Sequence, residues 1–87
     1  MNLPFVEKSL GNNQYIREFS DDVDTHELEW HIDKEDRIVE SIQNDGWEIQ
    51  LDNELPKILN DKLFIPKETY HRVIKGNGKL IVRITKV

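Results

Sequence analysis

Histidine, carboxylate and guanidinium groups at short spacing carry the chemistry open to this chain of 87 residues. In Trp30-His31-Ile32-Asp33 a histidine and an aspartate stand two apart, so on an extended strand their side chains share one face. His71 opens a later strand segment. Two imidazoles and one carboxylate with open positions form the facial ligand set suited to non-haem iron or another divalent metal. The imidazoles offer neutral nitrogens, and the carboxylate offsets the charge of the ion. Gln50 and Glu29 project from polar faces and are candidates to complete the shell. Arg37 is placed to hold Asp33 or a substrate carboxylate through a two-pronged contact. Tyr70 and Arg72 flank His71. The same residues also read without a metal: a surface His-x-Asp pair, a salt bridge from Arg37 to Asp33 or Asp36, and a His71 bonded to a loop carbonyl. His26, five residues from His31, projects from the opposite face.

Other chemistries are excluded. With no cysteine there is no disulfide framework, Cys-based zinc site or thiol nucleophile. The sequence has no Gly-rich phosphate loop and no G-x-S-x-G elbow. It lacks an apolar run long enough for a transmembrane helix. Met1 to Leu10 does not read as a secretory signal, so a cytoplasmic protein is expected. A chain this short builds one core, so residues 1–87 are expected to form a single domain. Charge is uneven: residues 1–56 carry 15 acidic and 4 basic side chains, residues 57–87 carry 2 and 8. The basic residues are spaced singly and not interleaved with aromatics, so the expectation is charge pairing across a sheet, with nucleic acid not a partner. The richness in Ile, Lys, Asn and Asp points to an AT-rich genome such as a viral one, which would place the protein in a host cytoplasm.

The elements that must position these groups are strands. Leu3 to Val6 reads as an edge strand or arm within residues 1–13, and Gly11-Asn12-Asn13 as a turn. Gln14 to Phe19 alternates. Turns follow at Ser20-Asp21-Asp22 and Asp24-Thr25. Glu27 to Asp33 alternates clearly, with Leu28, Trp30 and Ile32 on an apolar face. Arg37 to Ile42 and Trp47 to Leu51 are expected to pair as a hairpin across Asp45-Gly46, and that pairing disfavours a helix over Asp33 to Gln43. Leu55 to Leu59 is interrupted by Pro56, which suits an edge. After a turn at Asn60-Asp61 come Leu63 to Ile65, His71 to Ile74 and Leu80 to Thr85, the last two separated by Gly76-Asn77-Gly78. Seven or eight short strands with turns between them predict an all-β sandwich or barrel. Trp30 and Trp47 are expected in the core, with sugar stacking by Trp47 near the hairpin tip as the functional alternative.

Asn60 to His71 reads N-D-K-L-F-I-P-K-E-T-Y-H, which resembles the second motif of the cupins, G-(x)5-P-x-G-(x)2-H. Pro66 and His71 match, and the two glycines fall on Asn60 and Glu68. The first cupin motif, G-(x)5-H-x-H-(x)3-4-E-(x)6-G, resembles Trp30 through Gly46. There His31 fits the first histidine, Asp33 stands at the second, Arg37 or Ile38 stands at the glutamate, and Gly46 closes the motif. The resemblance covers residues 26 to 86. It implies a small antiparallel β-barrel or jelly roll that holds a divalent ion (Fe, Mn, Ni or Zn) through His31, Asp33, His71 and Gln50. Arg37, Tyr70, Arg72 and Trp47 would orient a small polar ligand. The reaction is not named by the fold. The alternative is a cupin-like binding or assembly module without metal. A homodimer is expected, because one core of this size stabilises a fold only modestly and the last strand is apolar on both faces.

Overall fold

Alternation builds strands, and the strands sort into two facing sheets. The computed structural model describes residues 5–20, 28–59 and 62–87. The expected arm at Leu3 and Pro4, the turns at Asp21-Asp22, Asp24-Thr25 and Asn60-Asp61, and His26 and Glu27 lie outside the described residues. The elements are β1 (Phe5–Gly11), β2 (Gln14–Phe19), β3 (Arg37–Asn44), β4 (Glu48–Leu51), β5 (Lys57–Ile58), β6 (Lys62–Ile65), β7 (His71–Ile74) and β8 (Leu80–Lys86). Five strands form one sheet in the order β1-β2-β8-β3-β6, and three form the other in the order β5-β4-β7. All pairings are antiparallel. This is a jelly-roll sandwich whose two sheets do not close into one hydrogen-bonded barrel. Among the described residues no helix is long and apolar enough to cross a membrane.

The core comes from the inward positions of both sheets. Leu80, Val82 and Ile84 of β8 face Trp47, Ile49 and Leu51 around β4, and all six are buried. Phe19 stacks at a tilt on Trp47, with ring centroids 5.6 Å apart. Because β8 lies between β2 and β3, the basic C-terminal third meets the acidic part of the chain. Lys79 pairs with Glu18 at 3.8 Å, Arg83 with Glu40 at 3.4 Å and Lys86 with Glu35 at 3.7 Å. Such exposed pairs each contribute little to stability.

Two expectations are corrected. Arg37 to Ile42 and Trp47 to Leu51 do not form a hairpin. β3 stays in the five-stranded sheet between β8 and β6, while β4 joins the other sheet between β5 and β7. A two-residue type I′ turn needs positive φ at both central residues, and in Asp45-Gly46 only Gly46 has it, at 84°. The Asn44 side chain takes over the turn. Its Oδ1 accepts the Trp47 N–H at 2.7 Å, and its Nδ2 donates to the carbonyls of Trp47 and Leu59 at 2.9 Å each. The chain therefore crosses between the sheets and drives Trp47 into the core. The β7–β8 crossing packs against this corner. A side chain on Gly76 would lie 2.5 Å from the Trp47 nitrogen and 2.6 Å from the Gly46 carbonyl carbon, so only glycine fits.

The second correction concerns Leu28 to Asp33. Only His31 makes a ladder pair, an isolated bridge to His71 on the free edge of β7. Leu28 is buried as expected, but Trp30 and Ile32 are 42% and 44% exposed. With one pair holding it, the segment does not lay its apolar stripe on the core, and it directs His31 and Asp33 toward the space between the sheets.

Candidate metal centre

His31 and His71 exchange both backbone hydrogen bonds, N–H to carbonyl, at 3.0 Å each. In such an antiparallel pair the two side chains stand side by side on one face. The rings meet edge to face with centroids 4.3 Å apart. Each ring is oriented by a carbonyl two residues earlier: His31 Nδ1 bonds the Glu29 carbonyl at 2.9 Å, and His71 Nδ1 bonds the Thr69 carbonyl at 2.8 Å. A carbonyl only accepts, so both Nδ1 atoms carry the hydrogen. In its neutral form each ring then presents the Nε2 lone pair, the arrangement that orients histidine ligands in metal sites.

Asp33 completes the group. Its backbone carbonyl accepts the Glu68 N–H at 2.8 Å, and the neighbouring Asp36 carboxylate accepts the Lys67 N–H at 2.8 Å, which fastens this loop to the turn before β7. Asp33 Oδ2 lies 3.2 Å from His71 Nε2, and Arg37 Nη2 lies 3.4 Å from Oδ1. The side chains of Asp33 and His71 are 10% and 6% exposed. One ligand atom from each of His31, Asp33 and His71 lies within 4.8 Å of the others. Oδ2 of Asp33 is buried and without a hydrogen-bond donor. With Nδ1 of His71 protonated, two lone pairs face each other at that short distance, so the pair requires a proton or a cation between them.

Burial of His71 works against a proton on that ring. Burial pushes the His71 pKa below the ordinary histidine value, aided by the nearby His31 and Arg37 charges and opposed by the Thr69 carbonyl and Asp33. A histidine held neutral by the fold stabilises the protein fully above the unfolded-state value of about 6.5 and loses that contribution as pH falls. Metal-free protein is therefore expected to weaken in urea as pH drops from 7.5 to 5.5, with a shallower dependence in His71→Gln. An equal pH dependence in the two proteins contradicts the assignment.

The triad lines a cavity of ≈ 540 Å³ between the sheets. Arg37 lines it as well, with Glu35 holding its Nη2 at 2.9 Å. Of the other sequence candidates, Glu29 also lines the cavity and the rest lie elsewhere. Gln50 stands between buried Ile49 and Leu51 and so points out of the sandwich. It accepts both Nε and Nη2 of Arg72 at 3.0 and 2.9 Å and donates to the Glu54 carbonyl at 3.0 Å. Gln50 and Arg72 are register partners on the outer face of the small sheet, so neither reaches the triad. Tyr70 is 53% exposed and does not line the cavity. Trp47 is fully buried, with its indole N–H on the Gly78 carbonyl at 2.7 Å, so it presents no face to a ligand. Trp30 stands at the cavity instead, with the Arg72 guanidinium 4.9 Å over its ring. The orienting carbonyls of Glu29 and Thr69, and Arg17 in the cavity wall, were missed. The repeated two-residue offset before each histidine, and the place of Arg17 between Tyr15 and Phe19, were their signals.

The backbone also accounts for the imperfect second motif. Glu68, at the second motif glycine, has φ of 59°, the left-handed conformation that glycine adopts freely.

No protein-family model and no curated protein matches the chain. Solved structures do. A cupin domain from Bordetella pertussis superposes with a TM-score of 0.61 at 12% identity, over 100% of this chain and 98% of that one. A cupin-2 domain containing protein from Shewanella frigidimarina gives 0.59 at 14%, over 97% and 81%. KdgF from Halomonas sp. gives 0.59 at 14%, over 95% and 77%. The fold is that of a small cupin.

Proposed function

We propose that this chain is a cupin-like protein that binds a divalent metal through His31, Asp33 and His71 and receives a small ligand beside it. The observation that carries this reading is the donorless Asp33 Oδ2 set 3.2 Å from the His71 Nε2 lone pair. The donor set supports iron, manganese, nickel or zinc. A divalent ion held there supplies Lewis-acid polarisation of a bound oxygen ligand. The residues of the chain do the rest. The Glu29 and Thr69 carbonyls fix the rings, Arg37 steadies Asp33, and the apolar walls limit water.

The test is calorimetric titration of metal-depleted protein with Zn²⁺, Mn²⁺, Ni²⁺ and, without oxygen, Fe²⁺. One saturable site is expected for at least one of these ions, weakened by more than about 100-fold in His31→Ala, since changes to groups behind the ligands alone cost about 10–100-fold. Unchanged affinity in His31→Ala would overturn the assignment.

A further inference from the structure

Arg17 stands where packing alone would place an apolar side chain. Its register partner on β8 is Val82, 2% exposed, and its neighbours along the same face of β2 are Tyr15 and Phe19. That face looks into the cavity, whose wall Arg17 forms with Phe5 and Phe19. The guanidinium carbon lies 4.2 Å from the centroid of the Phe5 ring, and Glu7, the register partner on β1, holds Nε. Among the described residues nothing takes the two terminal amino groups. A charge on an interior face costs desolvation free energy unless its donors are satisfied. Among the described residues Glu7 satisfies one donor, and the rest of the fork lies at the cavity wall.

We infer that Arg17 anchors the carboxylate of an organic anion whose apolar body fills this cavity. The inference rests on the ligand-binding reading above and adds the class of ligand. Arg37 does not fill this role, because Asp33 and Glu35 already face it at 3.4 and 2.9 Å. Nor do the two arginines share one carboxylate. Arg37 pairs with Lys86 and Arg17 with Val82, on strands either side of β8. Their backbones are thus about 13 Å apart along the strands and about 10 Å across them. Much of the remaining wall is hydrocarbon, with Val39, Ile49, Leu80, Val82 and Ile84 among its residues. Arg17 and Arg37 are each met by a glutamate, Glu7 and Glu35, so a divalent ion at the triad would offset the Glu29 and Asp33 carboxylates and remove the repulsion an organic anion meets there. The volume suits a small-molecule site.

The experiment is calorimetric titration of the metal-depleted chain with 3-phenylpropionate and with its neutral amide, 3-phenylpropanamide. The carboxylate is expected to bind tighter by about tenfold or more, as a charge-assisted fork requires. Arg17→Met is expected to bring the two within about twofold, to keep metal binding, and to leave the melting temperature unchanged or higher, because a packed thioether replaces a half-satisfied charge. Equal affinities in the wild type, no saturable binding of the carboxylate, or a preference that survives Arg17→Met would each overturn the inference. A wild type that takes up metal but shows no preference refutes the Arg17 anchor alone. One that prefers the carboxylate but takes up no metal supports the anchor and refutes the metal centre.

Discussion

Asp33→Asn is expected to move metal affinity and metal-free stability in opposite directions. The substitution keeps the shape of the side chain and exchanges a carboxylate oxygen for an amide donor. Without metal, that donor reaches the His71 Nε2 lone pair, which Asp33 Oδ2 faces at 3.2 Å. A buried acceptor gains its partner, worth about 1 kcal/mol, and Arg37 keeps Glu35. The metal-free melting temperature should rise. With metal, the site loses its only anionic ligand, and affinity should fall by more than about 100-fold, beyond the loss typical of groups behind the ligands. Thermal melts with and without chelator, together with a metal titration, give both numbers. A plain Asp33–His71 ion pair predicts the reverse in the melts: lower stability in the variant and no effect of chelator on either protein.

Trp47→Ala should produce the largest loss of stability. Its ring is fully enclosed between the sheets, stacks on Phe19 and donates its N–H to the Gly78 carbonyl. Truncation leaves a cavity and an unsatisfied carbonyl at the two crossings, and removing a buried Trp costs about 3–5 kcal/mol. A domain of this size has roughly 4–13 kcal/mol in total, so the variant is expected to be marginal or unfolded at 37 °C. Urea midpoints measured by circular dichroism check this. A loss below about 1 kcal/mol would show that Trp47 is not the keystone of the corner.

Local alternation made most strands legible. Gln14 to Phe19 and His71 to Ile74 have the bounds the pattern gives, and Leu63 to Ile65 and Leu80 to Thr85 each grow by one residue. What alternation does not carry is which sheet a strand joins. Asp45-Gly46 has the composition of a hairpin, but the Asn44 amide bonds both sides of the corner, and that outcome depends on Leu59, fifteen residues away. The same limit explains Trp30 and Trp47. Each sits in an equally regular apolar stripe, yet one is 42% exposed and the other 0%. The difference lies in whether a strand is paired along its length or held by a single bridge.

The site was legible where motif spacing places residues on a bridge and failed where it relied on proximity in sequence. His31 and His71 meet because they are register partners. Tyr70 and Arg72 flank His71 in sequence, and for that reason alternation turns them away from it. Gln50 fails in the same way, one residue out of phase with the cavity wall. Arg17 went unread because a charged residue in an alternating strand is ordinarily assigned to the solvent face. Its place between Tyr15 and Phe19 was the one sequence signal, and its partners Val82 and Glu7 fix the inward position.

The most direct test of the metal centre is metal content by inductively coupled plasma mass spectrometry. It is applied to wild type and to His71→Ala, each reloaded with divalent ions and dialysed. The account predicts about one ion per chain in the wild type, as a single facial site requires, and none in the variant. No metal in either protein after reloading, or an equal amount in both, would contradict it.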